Sequence, residues 1–317
     1  MKSIAIWYKP TKTKVIESDE KLDLHFNFWK IPNGTNKSHK FLDIGIKISN
    51  TKNIESLKIY FPVKINETDF EDIVDKFIYK VDLVSAIFNE NYKVVSTASS
   101  KSFEIRDAKN DFVFNVYKTS VSDLNFEQKY EGTIVNISIP KEEKTNYFRF
   151  RIKGDFINSI STISSPTNSI LESAFSEIEM IDFRVNEIRD LNHDLLEQIN
   201  EEKIIKIQKQ HFFFICSKDE ELIGNHQPFL SCRNLENYKW DDYVGIPNVN
   251  KEVYLAYHWK DKDVESVSTL IKTKYEKNNW KTILKYALFA LMIAVLIELF
   301  SNWLYDFMKG VLTIKCN

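Results

Sequence analysis

Six histidines and three cysteines are the side chains best suited to nucleophilic or metal chemistry in this sequence: His25, His39, His193, His211, His226 and His258, with Cys216, Cys232 and Cys316. Three of the histidines and two of the cysteines crowd between positions 211 and 258. Zinc takes such ligands, but its local chelating pairs use spacings such as C-x-x-C, H-x-x-x-H or HExxH. None of these is present, so neither a metal nor another cofactor is expected. Cys216 lies five residues after His211. Strand alternation then puts the two on opposite faces, against a Cys–His nucleophile pair. No G-x-S-x-G marks a serine hydrolase. The seven glycines stand apart, at 34, 45, 132, 154, 224, 245 and 310. Phosphate loops and dinucleotide fingerprints need clustered glycines for close backbone approach. No catalytic residue is assigned.

Arginine is more informative because it is scarce, six residues against 37 lysines. Arg184, Arg189 and Arg233 fall in the second half of the chain, and Arg149 and Arg151 share one strand face. The planar guanidinium binds carboxylate or phosphate through two parallel hydrogen bonds. Arg184, Arg189 and Arg233 are therefore the candidate anion-binding set, for a cytosolic nucleotide-like anion, and a cytosolic protein partner is the other possibility. Internal salt bridges to Asp182, Glu187 and Asp190 are the competing reading. The formal net charge of -2 gives no overall electrostatic footprint for nucleic acid.

Glu298 is the third chemical oddity, the one charge in the twenty-residue run YALFALMIAVLIELFSNWLY from Tyr286 to Tyr305. At 1.5 Å per residue the run spans about 30 Å, the hydrocarbon thickness of a bilayer. Trp280 and Trp303 are placed for the two interfacial belts. A membrane-spanning helix is expected over 283–305, with the bilayer as its partner. On a helical wheel Ala287, Ala290, Ala294, Glu298 and Ser301 share one stripe. Small residues allow close helix approach in lipid, and an intramembrane carboxyl is costly unless it faces protein or water. The stripe is the candidate self-association face. A plain anchor with a tolerated Glu298 is the alternative. Five lysines precede the run (272, 274, 277, 281, 285) and two follow it (309, 315), so the positive-inside rule puts the preceding residues in the cytoplasm.

The elements that position these residues read as mainly β. Alternating Leu22, Leu24, Phe26 and Phe28, then Ile44, Ile46 and Ile48, begin a series of runs at 56–63, 83–88, 92–97, 102–106, 112–117, 132–140 and 147–154. Such runs indicate a β-sandwich or barrel-like domain over 1–160, with a short helix near Phe70–Phe77. The turn-rich stretch STISSPTN (161–168) marks a domain boundary. Ser169 and Glu172 form a capping box ahead of Leu171, Ala174, Ile178, Ile181, Val185, Ile188, Leu195 and Ile199, which keep helical spacing. This predicts a smaller α+β domain over 165–259 with a long amphipathic helix. Asn192 would fix register if the helix paired, but like charges would face each other in a parallel dimer. The alternation of Ile181, Phe183 and Val185 leaves a strand open there. Strands are expected at 211–217 and 253–259, then a charged helical stalk over 260–282 and a short extracytoplasmic tail over 306–317.

The absence of a signal-peptide pattern at the N-terminus, the odd cysteine count and the Lys-, Asn- and Ile-rich composition suggest a reducing compartment and an AT-rich bacterial genome. The expectation is a tail-anchored, single-pass protein of the bacterial inner membrane. A cytosolic β-rich sensing or binding module would control a self-associating helix. In general layout this resembles bacterial anti-phage effectors, which implies a membrane-perturbing role in antiviral defence. A non-enzymatic anchored adaptor is the alternative, and a tethered enzyme a further one.

Overall fold

The computed structural model describes residues 3–11, 20–33, 38–165, 176–235, 240–246, 253–276 and 280–314. Half the chain is strand and a quarter helix. It divides into two units, Met1–Ser164 with Ile178–Tyr275, and Ser165–Glu177 with Glu276–Asn317.

The strands of the first unit are, in order, β1 (Ala5–Pro10), β2 (Lys21–Pro32), β3 (Ser38–Ile48), β4 (Ile54–Phe61), β5 (Phe70–Asp72), β6 (Lys93–Ser96), β7 (Ser102–Arg106), β8 (Phe112–Tyr117), β9 (Leu124–Lys129), β10 (Gly132–Ser138), β11 (Asn146–Ile152), β12 (Ser161–Ser164), β13 (Ser176–Val185), β14 (Lys203–Ile204), β15 (Lys206–Ser217), β16 (Glu221–Asn225), β17 (Ser231–Asn234), β18 (Tyr254–Val264) and β19 (Val267–Glu276). They form three sheets among the described residues. One runs β14-β1-β4-β10-β9, a second β12-β13-β19-β16. The largest runs β17-β18-β15-β2-β3-β11-β8-β7-β6, with β5 added beside β11.

Period-2 patterning explains how these sheets pack. Leu22, Leu24, Phe26 and Phe28 of β2 are fully buried in one cluster with Ile44 and Ile46 of β3, Phe212 and Phe214 of β15, and Ile6, Ile59 and Val135 of the five-stranded sheet. Alternate side chains point to opposite faces, so one face of the large sheet meets the smaller sheet in an apolar core. At one end of its other face lies a second cluster, which includes Trp29, Phe41, Tyr147, Trp240 and Tyr243.

Several expectations are corrected. Residues on either side of the turn-rich stretch at 161–168 share one sheet: β15, from the second region, pairs in parallel with β2 from Lys206↔Lys21 to Ile215↔Trp29. A turn-rich stretch shows that the chain bends, not whether it returns to the same sheet. The run at 83–88 lies in a helix, Val81–Phe88, because a short apolar run without strict alternation suits either element. Near Phe70–Phe77 the expected helix is β5 followed by a single 3-10 turn, Val74–Lys76.

The long amphipathic helix is replaced by β13 and a nine-residue helix, His193–Glu201. Ile181, Phe183 and Val185 are all buried, so the period-2 reading wins there. Asn192 caps the short helix, its side-chain oxygen accepting the Asp194 N–H at 2.9 Å. Ser169, Leu171, Glu172 and Ala174 lie outside the described residues. The expected helical stalk is instead strand: β18 ends at Val264 in the large sheet and β19 begins at Val267 in the four-stranded sheet, where Val267, Thr269, Ile271 and Thr273 alternate inward.

The second unit contains the helix Trp280–Ile314. Its segment Ile283–Lys309 has a mean hydropathy of 2.3 and is long and apolar enough to cross a membrane. Helical backbone continues through 306–314, part of the expected tail, and 315–317 lie outside the described residues. Within the segment the side chains are exposed apart from half-buried Tyr286, which is not how an apolar helix of a soluble core packs.

Candidate functional site: a charged cavity on the outer face of the large sheet

The residues of β2 that alternate with its buried apolar set are Asp23, His25, Asn27 and Trp29. They floor a cavity of about 610 Å3 in the first unit. Pairing register brings their neighbours into rows. Asp23 is opposite Lys47 on β3 and Lys209 on β15. His25 is opposite His211, which is opposite Lys260 on β18. Asn27 is opposite Phe213, which is opposite His258. Arg233 of the edge strand β17, Ala86–Glu90 at the end of the helix Val81–Phe88, Tyr92 and Trp240 also line it.

The histidines form one cluster. His25 meets His211 edge-on at 5.1 Å between ring centroids, and His211 lies nearly parallel to His258 at 5.1 Å. His211 Nδ1 and His258 Nε2 are 2.9 Å apart, so one ring nitrogen donates to the other. Phe213 stacks on His258 at 4.2 Å. Burial, reinforced by the positive neighbours, pushes His211 and His258 down to about 4. The same causes hold His25 well below the usual imidazole range. All three rings are neutral at pH 7. Among the described residues no group of three or more His, Cys, Asp or Glu side chains is arranged to hold a metal ion.

Among the described residues, Lys47, Lys209, Lys260 and Arg233 line the cavity with the carboxylates Asp23 and Glu90. Burial raises the Asp23 carboxyl against the pull of the three lysines, and its Oδ1 is buried without a hydrogen-bond partner. Behind the floor, Arg149 and Arg151 are 1% and 0% exposed. Arg151 holds Asp43 through Nε–H···Oδ1 at 2.6 Å and Nη2–H···Oδ2 at 3.1 Å. Asp43 also accepts from Tyr243 and Trp29. Arg149 donates to hydroxyls, Tyr243 at 2.9 Å and Tyr147 at 2.6 Å. Its Nη2 donates to the Asn27 amide oxygen at 3.1 Å in the orientation that satisfies that amide. Among the described residues the hydrogen-bond partners of Arg149 are neutral. The buried Asp43 carboxylate acts on it electrostatically but is hydrogen-bonded to Arg151, so two buried guanidiniums share one carboxylate beneath the cavity.

Gly45 makes that arrangement possible. It stands between His25 and Arg149 in the pairing, and a Cβ there would lie 2.3 Å from the Tyr147 hydroxyl oxygen. The missing side chain lets the Tyr147 ring lie across β3 and reach Arg149.

No family model matches the chain, and no curated protein sequence matches it. What the cavity does rests on its own chemistry.

The residues singled out from the sequence are not brought together as a set. Arg184 is chelated by Asp182, at 2.7 Å, and Asp190, at 2.8 Å. Arg189, largely exposed, pairs with Glu187 at 2.9 Å. Arg233 alone lines the cavity. Cys216 is buried in the apolar core on the face opposite His211, where burial pushes its thiol up. Ala287, Ala290, Ala294, Glu298 and Ser301 are exposed on the long helix. Sequence reasoning missed His25, Lys47, Lys209 and Lys260. The available signal was at 211–216, where HFFFIC is apolar on both strand faces and so argues for cover on both.

Proposed function

We propose that this chain is a membrane-anchored binding protein whose β-rich unit takes a small anionic ligand in the cavity around His25, His211 and His258. One observation carries the reading: a cavity lined by Lys47, Lys209 and Lys260 on neighbouring strands, above the buried Arg149. Cavities with a few convergent polar groups are where ligands bind, and preformed positive charge favours an anion. The helix Ile283–Lys309 supplies the anchor. In this proposal it inserts with the β-rich unit in the cytoplasm of a bacterial cell, as the lysine asymmetry supports. It self-associates through Ala287, Ala290, Ala294, Glu298 and Ser301. Ligand occupancy governs that association, and the assembled helix perturbs the inner membrane in the manner of a defence effector. Arg184 and Arg189 are left as structural ion pairs, and the tail-anchored arrangement rests on the helix alone.

Two measurements test this. The full chain, purified in detergent, is titrated with inorganic pyrophosphate in a thermal melt. A midpoint that rises for the wild type and not for Lys209→Ala/Lys260→Ala supports the anion site, and no rise overturns it. Membrane potential is read by dye in bacteria expressing the full chain or Glu298→Leu. Depolarisation by the wild type alone supports the effector reading. Equal membrane localisation without depolarisation under any pocket occupancy favours an inert anchor and an adaptor role.

A further inference from the structure

The His211–His258 pair has more proton positions than protons. Its rings are joined through His211 Nδ1 and His258 Nε2, 2.9 Å apart. Two outward nitrogens remain, His211 Nε2 and His258 Nδ1, and neither has a hydrogen-bond partner among the described residues. Two neutral imidazoles carry two protons, one in the shared bond and one on an outward nitrogen. In either direction of the shared bond, the second outward nitrogen is a bare acceptor. A third proton keeps the shared bond and turns both outward nitrogens into donors.

The neighbours decide when that proton arrives. The pair runs diagonally across β15 and β18, since His211 is opposite Lys260 and His258 opposite Phe213. Phe213 and His211 already stack on His258, so a ligand meets the pair at its ring edges. The charged groups of the surrounding elements are Lys209 on β15, Lys260 on β18, Arg233 on β17, Lys47 on β3, Asp23 on β2 and Glu90 just after the helix Val81–Phe88. Arg149 of β11 lies behind them, and His25 meets His211 edge-on. Burial, and then the charges of Lys260, Lys209 and Arg233, keep the empty pair neutral at pH 7. An anion among these cations offsets their repulsion and accepts from the new donors.

We propose that the cavity takes a small oxyanion of the phosphate or sulfate class together with one proton, held by the His211–His258 pair. The proposal rests on the anionic-ligand reading above and adds its regulation. Anion and proton strengthen each other's binding by the same factor. The site then reads acidification and anion concentration together. Asp23 is the competing proton acceptor, because burial already raises its carboxyl and a nearby anion raises it further.

The experiment is calorimetric titration of the full chain in detergent with sodium sulfate and with methanedisulfonate, at pH 7.5 and pH 5 and constant ionic strength. Both anions stay ionised throughout, so every proton taken up goes to the protein. Repeating each titration in two buffers of unequal ionisation enthalpy counts those protons. The expected result is uptake of about one proton at pH 5 and none at pH 7.5, with affinity about tenfold higher at pH 5, the gain from a two-unit rise of the pair's pKa above its free value. Asp23→Asn should keep the uptake. His211→Gln/His258→Gln should bind the anion through the lysines without uptake, with circular dichroism confirming its fold. In the wild type, the C2 proton resonances of His211 and His258 should titrate at higher pH when sulfate is present. Binding without uptake, or resonances whose midpoints sulfate does not move, overturns the proposal and leaves the anion site standing. Uptake that Asp23→Asn abolishes and the histidine double variant keeps overturns it in favour of the carboxyl. Binding of neither anion at either pH overturns both the proposal and the anion site.

Discussion

On one face of β2, Leu22, Leu24, Phe26 and Phe28 have no exposed surface and share a core with the five-stranded sheet. On the other, Asp23, His25 and Asn27 are part-exposed in a cavity ringed by lysines. The two sets come from the same seven residues, 22–28, and differ only in parity. The first is held by dispersion and exclusion of water, which need shape but no particular partner. The second buries charge and imidazole, which need specific partners and lower stability when those are missing. One face therefore carries the fold, and the other holds charged and imidazole groups at a cost to it.

That contrast can be broken most severely from behind the cavity. Asp43→Ala removes the carboxylate hydrogen-bonded to Arg151, Tyr243 and Trp29. Stranding a buried cation costs about 3–5 kcal/mol, so denaturant midpoints should fall as far as for Phe26→Ala on the core face, also about 3–5 kcal/mol. If Asp43→Ala is mild, the polar layer is not part of the fold.

Gly45→Ala should cost about 1–3 kcal/mol, the usual range for overpacking, because the added Cβ collides with Tyr147. Adding Tyr147→Phe should recover part of this loss if the hydroxyl is the obstacle. A thermal-melt comparison of the single and double variants decides it.

The histidines set a pH dependence with a definite sign. His211 and His258 titrate at about 4 when folded, against an ordinary 6.5. Between those values the unfolded chain binds more protons than the folded one. Their contribution to stability is thus complete above about pH 6.5 and is lost as pH falls towards 4. Asp23, raised by burial, acts in the opposite sense at the acid end. Melts from pH 7.5 to 4.5 should show the loss, a bound anion should shrink it, and His211→Gln/His258→Gln should flatten it. A curve unchanged by the double variant would place the acid sensitivity elsewhere.

The smallest effect separates binding from folding. Lys260 is exposed at the cavity rim, so Lys260→Ala should alter stability by no more than about 0.5 kcal/mol while weakening anion binding measurably. A large stability loss would make this lysine a structural residue.

Local sequence was enough for much of this protein. Alternation marked Leu22–Phe28 and Ile44–Ile48 as strands with one apolar face, because the strand period is a property of neighbouring residues. The run at 286–305 announced a helix able to cross a membrane, because length and hydropathy alone set that capacity. The opposite faces of His211 and Cys216 followed from the same parity. Arg184 and Arg189 showed the limit: scarcity of a residue type says that it is special, and only its neighbours Asp182, Asp190 and Glu187 say why. Helical spacing from Ile178 to Ile199 and in the expected stalk misled, since 3–4 spacing in a short apolar stretch is also met by strands with two buried faces.

Tertiary structure alone decided the cavity. His25 and His211 stand 186 positions apart and are neighbours only because β15 returns to pair in parallel with β2. Lys47, Lys260 and the buried Arg149 reach the same place through three further pairings. No periodicity in one segment can report the register between two, because register is set by which faces must be buried together. The residues that make this protein's most distinctive surface were legible one at a time as polar positions on strands; the pairing of those strands made them a site.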